Sequence, residues 1–284
     1  MINFCIPWRP QLSCVVRLLM LCLSLTVTQL EAAEKSYSFG IVPQQSATKL
    51  ARTWIPLLQL LQQKTGISLR FATAPDIPTF EKRLSRGKYD FAYMNPYHYT
   101  VFHESPGYLA FARQANKLIK GILVVRKDSP YQSVEDLDGQ VFAFPAPAAF
   151  AATLLVRSYL QKMGVHYTAK FVSSHDSVYR AVTGGYVSSG GGIMRTLERV
   201  APQVREQLRV LWESRGYTPH AFAVHPRIPV NTVTLIQQAM LELSEEPSGI
   251  AVLEKININK IEKAENHFWD DVRGLNIDSL KMAN

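Results

Sequence analysis

The chain has 284 residues, is 47% hydrophobic and 19% charged, and carries a formal net charge of +8. That is ordinary globular composition with length for two compact lobes, and it shows no low-complexity tract and no repeat. All three cysteines, Cys5, Cys14 and Cys22, fall in the first stretch of the chain, so a chain trimmed of that stretch has no disulfide, no thiol catalysis and no cysteine-ligated metal.

In chain order, Arg9 and Arg17 precede an apolar run at 18–27, followed by Gln29-Leu30-Glu31-Ala32-Ala33. A positive start, a short apolar core and small residues at its end predict a secretory signal peptide over 1–33, cleaved near Ala32 or Ala33. The run falls short of the roughly 20 residues of a spanning helix; an N-terminal anchor helix is the alternative. Leu21 before Cys22 argues against lipoprotein processing. The leader holds Arg9, Arg17 and Glu31, a net +1, so +7 remains after cleavage. A basic exported protein attracts anionic ligands or membrane surfaces. With no basic run interleaved with aromatics, nucleic acid is not expected as a partner.

The remainder alternates between strand-like and helix-like segments. "YSFGIV" (37–42) reads as a strand and "SATKLARTWIPLLQLLQQKTG" (46–66) as an amphipathic helix with Ser46 as N-cap and Gly66 as stop. "ISLRFAT" reads as a strand, "DIPTFEKRLSRGKY" as a helix and "DFAYM" as a strand. The strand-like "GILVVRKDSP" and "QVFAFP" follow, then the helix "AAFAATLLVRSYLQKMG", the strand "AKFVSS", the helix "DSVYRAVTGG" and the glycine-rich "VSSGGGIMRT". "LRVLWES" and "HAFAVHP" read as strands, with helices to the end. This alternation, run twice, predicts an α/β protein of two lobes with parallel sheets and a cleft between them. Ligands in such sheets bind beyond the carboxyl ends of the strands. "PQQS", "MNPYHY", "PAPAAF" and "SSHDS" all sit at such ends.

The string "GILVVRKDSP…DLDGQVFAFPAPAAFAATLL…SSHDSVYRAVTGGYVSSGGG" resembles the exported substrate-binding proteins of phosphate, phosphite and phosphonate ABC transporters, and the resemblance runs over nearly the whole chain from residue 37. It implies a type II-like periplasmic-binding-protein fold with two α/β lobes joined by two crossing strands. Lobe one would take 34–126 and 212–284, and lobe two 127–211. It also implies hinge closure on a small oxyanion. The partner would be an ABC transporter permease or, alternatively, a sensor histidine kinase.

Carried onto this chain, the resemblance makes His175 a ligand contact beside Asp176, with helix capping by Ser174 or Asp176 as the bland alternative. Tyr93, Asn95, Tyr97 and His98 are candidate contacts. Their alternative is core packing, with Asn95-Pro96 as a helix start. Gln45 is a candidate from the loop before the first helix, where Ser46 alone could serve as a cap. Ala149 and Phe150 stand where phosphonate binders place Ser and Thr hydroxyls, so only backbone N–H groups and the helix dipole remain for an anion there. Arg195 or Thr196 falls where aminophosphonate binders tend to carry an acid. Arg195 suits a second negative charge rather than an amine.

No cofactor and no metal are expected. Gly190-Gly191-Gly192 lacks the Lys and Ser/Thr of a phosphate-binding Walker loop. His220 and His225 point to opposite faces of a strand, and a metal site needs three or four ligands. Without a G-x-S-x-G elbow or paired carboxylates, the expectation is a binding protein rather than an enzyme, with an exported hydrolase as the contrasting class.

Overall fold

The computed structural model describes residues 36–275 together with the first three residues; the expected leader and its cleavage site lie outside the described residues. Two sheets organise the rest. In the first, β1 (Tyr37–Ile41) pairs in parallel with β2 (Leu69–Ala72) and β3 (Phe91–Met94). Antiparallel β4 (Leu109–Gln114), β10 (Ala221–Val224) and β11 (Ile261–Lys263) complete the order β11-β4-β10-β3-β1-β2. In the second, β6 (Gln140–Phe144) pairs in parallel with β7 (Tyr167–Phe171) and β8 (Ser189–Ile193). Antiparallel β5 (Gly121–Arg126) and β9 (Leu208–Glu213) then give β7-β6-β8-β5-β9. This is the periplasmic-binding-protein architecture that the resemblance implied.

The chain passes between the sheets twice, after β4 and after β9. The two passages pair with each other, Ile119 N–H donating to the Tyr217 carbonyl (2.8 Å) and Tyr217 N–H to the Ile119 carbonyl (2.9 Å). β5 and β9 both belong to the second sheet, so the positions 126 and 211 fall inside strands of that sheet.

Local chemistry explains the element starts. Helix α1 (Ala47–Thr65) begins where Ser46 accepts the Lys49 N–H and stops at Gly66, whose φ is 69°. It buries Leu50, Trp54, Leu57, Leu58 and Leu61 on the first sheet. α2 (Ile77–Ser85) is capped by Asp76, and α3 (Pro96–Glu104) by Asn95 with proline in its first turn. Two strands escaped the sequence pattern. β11 has only three residues, "IEK", and β4 begins on the exposed Leu109; both are held by antiparallel pairing, which leaves no local periodicity to read.

The second lobe turns on a close approach. After β6, a π-helical segment (Phe150–Leu155) runs into α4 (Val156–Lys162) and lies directly on β5 and β8. A Cβ at Gly121 would stand 2.2 Å from the Ala151 carbonyl oxygen, and one at Gly191 would stand 1.9 Å from that of Ala152. Glycine normally weakens a strand, and a glycine-rich strand marks such a backbone approach. The third side of this packing is α5 (His175–Thr183), whose Val178 occupies the space over Gly190. Gly191→Ala is therefore expected to cost roughly 1–3 kcal/mol or more of stability, as overpacking does, in urea unfolding of the unligated protein. Wild-type stability in that variant would refute the close contact.

Candidate functional site

The parallel strands of both sheets aim their carboxyl ends at one place. Val42 and Gln44 follow β1, Asn95 follows β3, Ala149 to Ala152 follow β6, His175 follows β7, and Ile193 ends β8. Together with His220 and Ile119 they enclose a cavity of about 10 Å³, roughly the room of one water molecule. The two sheets meet closely there. Asn95 Nδ2 donates to the Ala148 carbonyl (3.3 Å) and His175 N–H to the Gln44 carbonyl (3.3 Å). Lys49 reaches Asp176 at 3.5 Å. α6 (Met194–Arg199) carries Arg195, which donates to Tyr93 Oη and, at 2.5 Å, to Gln44 Oε1.

The expected residues divide into three groups. Asn95, Ala149, Phe150 and His175 line the cavity. Tyr93 and Arg195 border it on a second side, Tyr93 with its ring stacked on His220 (centroids 5.0 Å apart, planes at 17°). Gln45 is buried near them, and its Nε2 lacks a hydrogen-bond partner. The third group does not face the cavity. Tyr97 is buried in the core of the first lobe. His98 is fully buried, not a surface residue, with its Nε2 2.9 Å from Glu81 Oε1 between the rings of Phe80 and Phe102. Asp176 pairs with Lys49. Among the rings crowded into "YMNPYHY", Tyr93 therefore touches the site, while Tyr99 packs on Trp269 at 4.5 Å.

Asn95 does two things at once. Its Oδ1 caps α3 by accepting the His98 N–H (2.8 Å), and its Nδ2 crosses to the second lobe. His175 is likewise the first residue of α5, capped by Ser174, and its Nδ1 lies 3.2 Å from Thr196 Oγ1. With Nδ1 so held, the other ring nitrogen is the one available to a ligand. On the facing wall, the Phe150, Ala151 and Ala152 N–H groups form the amino end of the segment that continues through α4, an arrangement that favours an anion. The first hydroxyl in this stretch, Thr153, turns back to the Ala146 carbonyl (2.8 Å).

Gln44 and His220 are site residues that the sequence pattern did not single out. Gln44 Nε2 lies 3.0 Å from His220 Nε2, so the amide donates and the ring accepts. The signal for Gln44 was present in its strand-end position. His220 reaches the cavity because β10 runs antiparallel to β3, with Phe222 opposite Tyr93.

The lining of the cavity contains no carboxylate. Burial, and then the Arg195 guanidinium, pull the His175 ring down to about 3. Burial, and then Arg195, His98 and His175, pull His220 well below its usual value. Both rings are thus neutral at pH 7. The basic balance of the chain lies partly elsewhere: Arg70, Lys82, Arg83, Arg86 and Lys88 line a separate groove of about 500 Å³ on the first lobe.

Residues 39–269 match the model of the periplasmic phosphonate substrate-binding proteins of ABC transporters. The chain belongs to this family. The phosphonates-binding periplasmic protein of Escherichia coli (strain K12) is 23% identical over 241 residues, covering 80% of this chain and 71% of that protein. The fold is similar to a binding protein component of an ABC phosphonate transporter from Pseudomonas aeruginosa (TM-score 0.80, 19% identity, 88% of each chain). It is similar also to PhnD1 from Prochlorococcus marinus in complex with methylphosphonate (TM-score 0.78, 18% identity, 86% of this chain and 99% of that one). Within the family, this member has alanines at the helix start and Arg195 bridging the lobes.

The buried rings set the acid behaviour of the unligated protein. As pH falls below about 6.5, the unfolded chain takes up a proton at each ring that the folded protein refuses, so stability is present above that pH and is lost below it. The limiting slope is about 1.4 kcal/mol per pH unit per ring. Ser38 and Arg227 hold the Asp90 carboxyl below its ordinary value, against the opposing effect of its burial; its loss comes at lower pH. Urea melts from about pH 7.5 to 4.5 should show the decline, shallower in His175→Gln. A flat profile would mean that the rings titrate normally in the fold.

Proposed function

We propose that this protein captures a small oxyanion without an ammonium group, namely phosphate, phosphite or a phosphonate, and hands it to an ABC permease. The single observation that supports this best is the lining of the cavity. A helix start with its N–H groups, a histidine, an asparagine and a glutamine converge from both lobes with no carboxylate among them. An ammonium group would find no counter-charge there, whereas an oxyanion finds donors. The methylphosphonate in the Prochlorococcus marinus complex is a ligand of this chemical kind.

Export through removal of a leader near residue 33 places the protein in the periplasm, where its family works. The two lobes divide at the Ile119–Tyr217 pairing, and these passages act as the hinge. A tetrahedral oxyanion is larger than the one-water cavity, so the lobes part to admit it and reclose around it. The donors of the first lobe then meet the ligand only in the closed state, which binding therefore favours. The protein acts by stoichiometric capture, without turnover. Asn95, His175, Gln44 and the Ala149–Ala152 backbone hold the anion, and Tyr93, Gln45 and Arg195 close the side wall.

The test is thermal melting of the periplasmic protein in phosphate-free buffer with phosphate, phosphite, methylphosphonate, 2-aminoethylphosphonate and sulfate. A ligand at a hundredfold excess over its dissociation constant should add about 2.7 kcal/mol of stability. His175→Ala should weaken the active ligand by at least about 1.5 kcal/mol, the low end for a hydrogen bond to a charged group. No shift with any phosphorus oxyanion would sink the reading. Unchanged affinity in a folded His175→Ala protein would remove that ring from the site.

A further inference from the structure

Beside the small cavity lies a larger chamber of about 290 Å³, near the lower limit of small-molecule pockets, roughly 300 Å³. The two are neighbours through shared walls: Ile119, Ile193 and His220 line both. A substituent on an anion in the small cavity would reach the chamber past these shared residues. The chamber has two kinds of surface. Leu118, Met194 and Pro219 give it apolar wall, and Leu118 and Met194 are among the exposed large hydrophobic side chains. Arg195 gives it a fixed charge at the inner side, with Lys117 further along.

The state of these charges is informative. Among the described residues, Arg195 donates to two neutral oxygens, Tyr93 Oη and Gln44 Oε1, and to no carboxylate. Lys117 has no ion pair there either, while the chamber's Lys120 is paired with Glu213. Glu198 accepts from Asn257 Nδ2 at 3.4 Å. The chamber thus has a partly buried guanidinium that no carboxylate pairs; with Lys120 and Glu213 cancelling, Arg195 and Lys117 face the single acid Glu198, and the lining is net positive. A guanidinium with free donors is the side chain best shaped for a carboxylate.

We propose that the ligand is a phosphonate whose short organic chain ends in a carboxylate. The phosphonate occupies the small cavity, the chain lies against Ile119 and Ile193, and the carboxylate meets Arg195 and Lys117. This rests on the reading of the cavity as an oxyanion site. It goes further by assigning the chamber, and it makes Arg195 the residue that selects the substituent. An aminoalkyl phosphonate is disfavoured in the same stroke, because its ammonium would stand against Arg195.

Isothermal titration of the periplasmic protein with methylphosphonate, phosphonoacetate, 3-phosphonopropionate and 2-aminoethylphosphonate tests the assignment. One of the two carboxylated ligands should bind at least about tenfold tighter than methylphosphonate. Arg195→Gln should bring that ratio close to one. Leu118→Trp, at a side chain that is 55% exposed, should lower the ratio by filling the chamber, and it keeps the test available if the arginine variant does not fold. Methylphosphonate binding as tightly as the carboxylated compounds would overturn the proposal while leaving the oxyanion reading intact, whereas 2-aminoethylphosphonate binding as tightly would overturn it together with the exclusion of an ammonium group. A ratio that neither variant changes would overturn the proposal and leave the oxyanion reading intact. Binding of none of the four would overturn the proposal, and the oxyanion reading falls with it only when phosphate and phosphite, titrated in the same way, also fail to bind.

Discussion

The contact on which the site depends is between backbones. The Ala151 and Ala152 carbonyls rest on Gly121 and Gly191, at distances that leave no space for a methyl group. This seats the helix start deep against the second sheet, with its free N–H groups turned to the cavity. It also restricts what that start can be made of. A segment wedged between β5, β8 and the opposite lobe has room for alanines; its one hydroxyl, on Thr153, is used internally. The missing Ser and Thr donors and the glycines at 121 and 191 are two sides of one packing solution, while Gly190 and Gly192 make room for Val178 and Tyr179 of α5. For an anion bound as proposed, side-chain donors would then come from elsewhere, from Asn95, His175 and Gln44, which line the cavity.

Those donors are neutral. A buried permanent charge costs several kcal/mol of desolvation, and both imidazoles avoid it by staying deprotonated in the fold. An anion bound as proposed would bring the charge, and the rings and amides would meet it as dipoles already in place. Arg195 is the exception, and it stands at the border rather than the centre. There it is partly exposed and shares its protons with a phenol and an amide. Fixed charge at the rim and neutral donors inside let one site draw in an anion without holding an unpaired buried cation.

Much of this was legible in the sequence. The strand-helix alternation, the caps at Ser46, Asn95 and Ser174, and the placing of ligand residues after strand ends are local features, and local chemistry writes them into the chain. The alternation run twice already pointed to two lobes, and the resemblance added the two crossing strands and the type of fold. What could not be read were contacts made by antiparallel pairing and by lobe closure. His220 looked like half of a histidine pair on a strand, because the register of β10 against β3 leaves no mark near residue 220. For "MNPYHY" ligand contact and core packing both stayed open, because composition does not tell which face of a short helix is buried. Tyr97, His98 and Tyr99 turned into the core of the first lobe, and the cap residue before them turned to the site. "SGGGI" was legible only as a glycine-rich stretch and not as a strand, because a strand without side chains lacks the alternating pattern that identifies strands.

Gln44 ties closure to recognition. Its carbonyl accepts from the His175 N–H, its Oε1 from Arg195, and its Nε2 donates to His220. Two of these three bonds cross between the lobes, and His220 lies on the wall shared by both cavities. The two neutral bonds contribute about 0.5–1.5 kcal/mol net each and the one from the Arg195 guanidinium about 1.5–3, so no one of them holds the lobes together firmly by itself. A ligand that settles among the same groups adds its own bonds to both lobes at once and so needs to supply only a small difference to favour the closed form. A site whose lobe-to-lobe contacts and ligand contacts share residues in this way reports occupancy through closure, and closure is the property that a membrane partner can read.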